Sequence, residues 1–178
     1  MKQARKERSK LILVLGGAAS GKSQAALDLA GQAGPRAFVA TGQGLDREMA
    51  SRIERHRATR SADWETVEVP VDIAAWVNKN SKCYQSIVID CITLWLSNLL
   101  GLRLSDLAVS EATADLLQTI RTTRARVVIV SNELGLGLVP ATKAVRAFRD
   151  LAGRVNQQVA AEADEVYLTI SGLPLRLK

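Results

Sequence analysis

Apolar residues fall along this chain in two alternating rhythms. Short unbroken runs have the length and composition of strands buried on both faces: Leu11-Ile12-Leu13-Val14-Leu15, Ala37-Phe38-Val39-Ala40, Ser86-Ile87-Val88-Ile89 and Val127-Val128-Ile129-Val130. Between them, apolar residues recur three or four apart, the helical spacing. Gln24 to Ala30 predicts a first helix, and Gly34-Pro35 breaks the chain before the second strand. Asp46 predicts the cap of a helix running to about Thr59. Thr66-Val67-Glu68-Val69 alternates and predicts a strand ended by Pro70. Ile73 to about Asn78 predicts a short helix, Leu94, Leu96 and Leu99 mark another, and Ser110 is expected to cap a third reaching about Arg124. A loop from Ser131 to Pro140, with Gly135 and Gly137, leads into a long helix striped by Val145, Phe148, Leu151, Val155 and Val159. Val166 to Ile170 predicts a strand, Ser171-Gly172 a turn, and Leu173 to Leu177 a last strand. The alternation predicts an α/β fold: a mainly parallel sheet, helices on both faces and a short antiparallel C-terminal edge.

Composition narrows the class without changing that picture. A chain of 178 residues is long enough for a sizeable core. The expectation is a basic arm over residues 1–10 and a single domain over 11–178. The net charge of +6 is concentrated: Lys2, Arg5, Lys6, Arg8 and Lys10 against Glu7 leave +4 on the first ten residues, so the body carries +2. A nearly balanced body argues against nucleic acid as a partner, and the arm reads as solvated. Two cysteines, Cys83 and Cys91, and one histidine, His56, exclude a disulfide framework and a Cys/His metal cluster. No run approaches membrane-spanning length, and the chain is expected to be cytoplasmic.

The chemistry starts at Gly16-Gly17-Ala18-Ala19-Ser20-Gly21-Lys22-Ser23. It fits G-x-x-x-x-G-K-[ST] and sits between a buried strand and a helix, as a phosphate-binding loop requires. Glycines let successive backbone N–H groups turn onto one anion, and the new helix adds its unpaired N–H groups and positive dipole end. Lys22 is placed for the β- and γ-phosphates and Ser23 for Mg²⁺. The fold expected with it is P-loop-type and RecA-like.

Other residues leave alternatives open. Asp90 ends a buried strand and either caps the next helix or holds Mg²⁺; the glycine loop favours the metal role. His56 shares a helix face with Met49 and Ile53, the pattern of a packing histidine. Arg52, Arg55, Arg57 and Arg60 around it suit phosphate oxygens, and neutral imidazole is a competent nucleophile toward phosphorus. Glu68 is either an exposed strand residue or a ligand contact. Ser131-Asn132-Glu133 ends a strand where ligands bind in open α/β sheets. Arg146, Arg149, Asp150, Asn156 and Gln157 decorate the long helix and alone read as a polar face.

At these residues the sequence resembles the bifunctional adenosylcobinamide kinase/adenosylcobinamide-phosphate guanylyltransferase family of cobalamin synthesis. The resemblance covers about Leu11 to Lys178 and rests on motifs in order. After the glycine loop come Asp46-Arg47-Glu48-Met49 with Arg52-Ile53, His56 and Arg60, then Trp64-Glu65-Thr66-Val67-Glu68. Asp90 to Asn98, Ser131 to Pro140, and Arg146-Ala147-Phe148-Arg149-Asp150 with Gly153 and Asn156-Gln157 complete the set. The resemblance implies two reactions: phosphorylation of adenosylcobinamide by ATP or GTP, then guanylylation of that phosphate by GTP. It implies a covalent GMP intermediate on His56. It implies nucleotide contacts at the glycine loop, at Ala40, Thr41 and Gly42, at Arg57, Ala58, Thr59 and Arg60, and at Glu68 and Asp90. Ala19 stands where the family often has arginine, and Arg55 where some members have a second histidine. Similar proteins form trimers, so the resemblance implies a homo-oligomer. The alternatives are a kinase without guanylyl transfer and a GTP-dependent switch. Against the switch, Asn78-Lys79-Asn80-Ser81 lacks the aspartate of the guanine-reading N-K-x-D motif.

Overall fold

The apolar run after Lys10 forms β1 (Leu11–Gly16), and β1 lies inside the sheet rather than at its start. The chain is described by a computed structural model over residues 9–44, 47, 51 and 61–178. β1 leads through the glycine loop to α1 (Lys22–Ala30), then β2 (Arg36–Ala40) and β3 (Trp64–Glu68). Next come α2 (Ile73–Asn80) with a 3₁₀ turn at Ser81–Cys83, β4 (Ser86–Asp90), α3 (Ile92–Gly101) and α4 (Asp106–Thr122). β5 (Arg126–Asn132), α5 (Lys143–Glu162), β6 (Glu165–Ile170) and β7 (Leu173–Arg176) finish the chain. The strands form one sheet in the order β3-β2-β4-β5-β1-β6-β7. Its pairings are parallel except β6 with β7, which is antiparallel.

Strand alternation divides the core in two. Leu11, Leu13 and Leu15 join Ile87, Ile89, Val127 and Ile129 on the face covered by residues of α2 to α5, among them Ile73, Trp95, Leu116 and Val155. Ile12, Val14, Val88, Val128 and Val130 face the other way, onto Ala25, Ala26 and Ala30 of α1. Each fully buried aliphatic side chain stabilises the fold by roughly 1.5–3 kcal/mol. Continuous runs with both faces covered are what a parallel sheet needs, and that is why they were legible as strands.

Several boundaries differ from expectation. α4 begins at Asp106, capped by Ser105, whose hydroxyl accepts from Ala108 N at 3.2 Å; Ser110 is not its cap. The buried stripe Val109, Thr113, Leu116, Leu117 and Ile120 opens one turn earlier than a cap at Ser110 allows. Ser110 is exposed and donates to Gln158 Oε1 of α5 at 3.4 Å. β3 reaches back to Trp64, over whose ring the Arg36 guanidinium sits 4.9 Å from the centroid. β5 takes in Ser131 and Asn132, which pair with Leu15 and Gly16. Ser9 is buried, and the Lys10 ammonium pairs with Glu165 at 2.8 Å. The rest of the basic arm, residues 1–8, lies outside the described residues, as does the helix expected from Asp46 to Thr59 apart from Arg47 and Ser51.

Candidate active site

The glycine loop has the tight backbone its sequence demands. Gly21, the residue before α1, has φ of 88°, and a Cβ there would fall 2.9 Å from Gly172 Cα. At Gly16 a Cβ would meet Ser20 Oγ at 2.4 Å and the Thr169 carbonyl at 2.8 Å. Neither position has room for a side chain, and Gly21 also needs the left-handed conformation that glycine adopts at no steric cost. Ala19 takes φ of 53° without that help. Gly172 N donates to the Ser20 carbonyl at 2.8 Å, so the β6–β7 turn forms a second wall of the loop. Lys22 is 8 % exposed, and its ammonium donates to the Gly17 carbonyl at 2.8 Å, which holds it across the loop. Ser20 Oγ is buried without a hydrogen-bond partner among the described residues.

Sheet register places the other candidates. Glu68 of β3, Ala40 of β2, Asp90 of β4 and Val130 of β5 form one row at the C-terminal edge of the sheet. With strands about 4.8 Å apart, Asp90 lies about 10 Å from β1 and Glu68 about 19 Å. Thr41 is fully buried: its hydroxyl donates to the Cys91 carbonyl and accepts from Cys91 N, both at 2.8 Å. Asn98 Nδ2 donates to the carbonyls of Thr41 and Pro70, each at 2.8 Å. These bonds fasten β2 to the Asp90 strand end. Burial pushes the Cys91 thiol up to about 11, the Asp90 charge adds to the rise, and Lys22 acts the other way.

Ser23, in the first turn of α1, and Asp90 are both half-buried. A hydroxyl and a carboxylate are hard oxygen donors of the kind that holds Mg²⁺ carried on phosphates. Among the described residues no three His, Cys, Asp or Glu side chains form a metal cage.

The Ser131-Asn132-Glu133 segment is tied to the glycine loop. Glu133 N donates to the Gly16 carbonyl at 3.0 Å, and Asn132 N to Thr93 Oγ1 at 2.8 Å. Glu133 Oε1 accepts from Gly135 N at 2.8 Å. Asn156 Nδ2 of α5 donates to the Asn132 carbonyl at 3.1 Å. An open groove of about 600 Å³ runs from here along α5, lined by Leu15, Glu133, Gly135, Arg149, Gly153 and Asn156 among others.

The structure thus brings Gly16 to Ser23, Asp90 and the Ser131–Glu133 segment to one sheet edge, and sets Ala40, Thr41, Gly42 and Glu68 farther along it. His56, Arg57, Ala58, Thr59 and Arg60 lie outside the described residues. Sequence reasoning did not single out Thr41 as a clasp, Thr93 as the support of Asn132, or Gly172 as part of the loop wall. The partners are 39 to 153 residues apart in sequence contacts of this kind, such as Thr93 with Asn132 and Leu11 with Asp164, and local pattern is silent on them.

Comparison with known proteins adds the family. The profile described as cobinamide kinase / cobinamide phosphate guanyltransferase matches residues 12–177. The bifunctional adenosylcobalamin biosynthesis protein CobU of Escherichia coli strain K12 is 38 % identical over 180 residues, covering 94 % of this chain and 99 % of its own. The corresponding protein CobP of Pseudomonas aeruginosa is 41 % identical over 167 residues, covering 93 % and 96 %. Among solved structures, a KaiC-like protein of Pyrococcus horikoshii superposes with a TM-score of 0.53 at 13 % identity, covering 90 % of this chain and 71 % of that one. At that identity the likeness speaks for the fold alone.

Proposed function

The chain belongs to the cobinamide kinase / cobinamide phosphate guanyltransferase family, and on that premise we propose how its residues divide the two reactions. A nucleoside triphosphate phosphorylates the aminopropanol hydroxyl of adenosylcobinamide. GMP then passes from GTP to that phosphate by way of His56, giving adenosyl-GDP-cobinamide. The observation that carries the reading is the family match over residues 12–177, supported by a glycine loop with no room for side chains at Gly16 and Gly21.

In the kinase step the substrate hydroxyl oxygen attacks the γ-phosphorus in line. The new O–P bond forms as the bond to the bridging oxygen breaks, and the nucleoside diphosphate leaves. Lys22 and the N–H groups at the start of α1 offset the charge that grows on the phosphoryl oxygens. In the transfer step an imidazole nitrogen of His56 attacks the α-phosphorus, an N–P bond forms and pyrophosphate departs. An oxygen of the corrinoid phosphate then attacks the same phosphorus, and the imidazole leaves. Mg²⁺, held by Ser23 and Asp90, would supply positive charge to the phosphates when bound. Arg57, Ala58, Thr59 and Arg60 follow the histidine in sequence and are assigned with it. Glu68, about 19 Å from β1 by strand spacing, suits the nucleoside end, with Ala40, Thr41 and Gly42 between.

The same reading takes residues 11–178 as one catalytic unit preceded by the basic segment 1–10, with neither nucleic acid nor membrane as a partner. No helix among the described residues is long and apolar enough to cross a membrane. Its place is the cytoplasm, with the nucleotides it uses. It works as a homo-oligomer, a trimer on the pattern of similar proteins.

The test is incubation with α-labelled GTP, followed by denaturing separation. We expect an acid-labile, base-stable adduct, the signature of a phosphoramidate. His56→Ala should abolish the adduct and slow guanylyl transfer by at least about 1000-fold, yet leave phosphorylation of adenosylcobinamide measurable. A wild-type enzyme without an adduct supports a kinase that lacks guanylyl transfer. A folded His56→Ala protein that transfers GMP at the wild-type rate would falsify the intermediate role.

A further inference from the structure

We propose that the groove between the Glu133–Gly135 loop and α5 is the acceptor site of both reactions. It takes the amide-bearing arm of the corrinoid that ends in the reacting hydroxyl. This inference rests on the reading above for the identity of the second substrate.

Two independent observations point to a ligand here. Asn156 is 5 % exposed and its Nδ2 is engaged with the Asn132 carbonyl, yet its Oδ1 is buried without a hydrogen-bond partner among the described residues. A buried acceptor left unmade is costly, and it asks for a donor. Phosphate oxygens of a triphosphate are acceptors and cannot supply one, and the donors of the nucleotide, its ribose hydroxyls and guanine N–H groups, belong in this reading toward Glu68 at the other end of the edge. Cobinamide carries carboxamide N–H groups and, on the reacting arm, a secondary amide and a hydroxyl, all of them donors.

The second observation is Gly153, one turn before Asn156 on the same helix face and also lining the groove. A glycine within a 20-residue helix costs about 1 kcal/mol against alanine. A Cβ at Gly153 would meet nothing within 4 Å, so packing inside the protein gives no reason for glycine there. Close approach of a ligand does.

The position fits an acceptor. Leu15, which lines the groove, is the residue before Gly16, and Glu133 N donates to the Gly16 carbonyl. The groove therefore opens beside the glycine loop. Leu15 belongs to the core on the α5 face, whereas α1, which follows the loop, covers the opposite face. Triphosphate and acceptor thus approach the same sheet edge from different sides.

The experiment uses the full chain and two titrations: adenosylcobinamide followed by its visible spectrum, and labelled GTP by equilibrium dialysis. Gly153→Leu fills the groove without displacing any neighbour of the Cβ. It should weaken corrinoid binding at least about fivefold and leave GTP affinity within about twofold. Asn156→Ala should weaken corrinoid binding about tenfold. If the leucine variant does not fold, Gly153→Ala carries the same comparison with a smaller expected loss. Wild-type corrinoid binding by a folded Gly153→Leu protein, or an equal loss for GTP, overturns the groove assignment while the two-reaction reading stands. A wild-type protein that binds GTP but no corrinoid, with or without nucleotide, sinks both.

Discussion

Cys91 shows how single side chains hold the reacting edge in place. It follows Asp90 and is clasped through its backbone by the Thr41 hydroxyl, while its own thiol is buried and pushed up to about 11. Burial is the main cause, and the adjacent carboxylate adds to it. A thiol held so far above neutral pH is almost entirely protonated and unreactive. Cys83, by contrast, is exposed. Alkylation of the native protein at pH 8 should therefore place one label, on Cys83, with Cys91 labelled only after denaturation. Mass spectrometry of the digested protein reads this directly, and two rapid labels on native protein would contradict the burial. At this scale the sequence marked Lys22, Ser23 and Asp90 because a short motif and a strand end point to them. It did not mark Thr41 as the clasp of Cys91, since that bond joins residues 50 apart.

Among the elements, the β1–β6–β7 side of the sheet is fastened by one carboxylate. Glu165 Oε1 pairs with Lys10 at 2.8 Å and with Arg176 at 3.4 Å, and Oε2 accepts from the Tyr167 hydroxyl at 3.1 Å. The hydrogen bond from Lys10 is the largest cause that lowers the Glu165 carboxyl below its ordinary 4.5. A lowered folded-state value means that the contribution is present above pH 4.5 and is lost as pH falls through the folded value. Glu165→Gln should cost about 1 kcal/mol at pH 7, kept small because Lys10 is 39 % exposed. The difference should shrink at pH 3, and urea unfolding at both pH values measures it. An equal loss at the two would show that charge is not the cause. Element identity was largely legible: buried runs gave strands, and the Val145 to Val159 stripe marked α5. The start of α4 was not, because two serines precede good helix formers and the choice depends on where Val109 meets the core.

Strand order is the property of the whole molecule that no local pattern carries; periodicity predicted a parallel sheet but not that β1 would lie between β5 and β6. The same holds for the groove, which exists only because α5 crosses beside β1. Large apolar side chains remain uncovered on one copy: Leu136, Leu138 at 96 % exposure, and Val139 after the groove loop, with Leu173 and Leu175 on β7. Sedimentation of the full chain at micromolar concentration should return the mass of a trimer. Leu138→Asp should shift it toward smaller species, and a monomeric wild type would sink the oligomer. The placement of β1 also bears on synthesis, which proceeds from the N-terminus. Its parallel partners are residues 126–132 and 165–170. When the first strand leaves the ribosome, both neighbours are still untranslated, and its five-residue apolar run has nothing to pair with. The turn at Gly172 that closes the loop wall is made later than either of these partners. The nucleotide site is thus begun at β1 and completed only once the chain has reached Gly172, so a chain cut short before Gly172 lacks the wall however much of its sequence has been made.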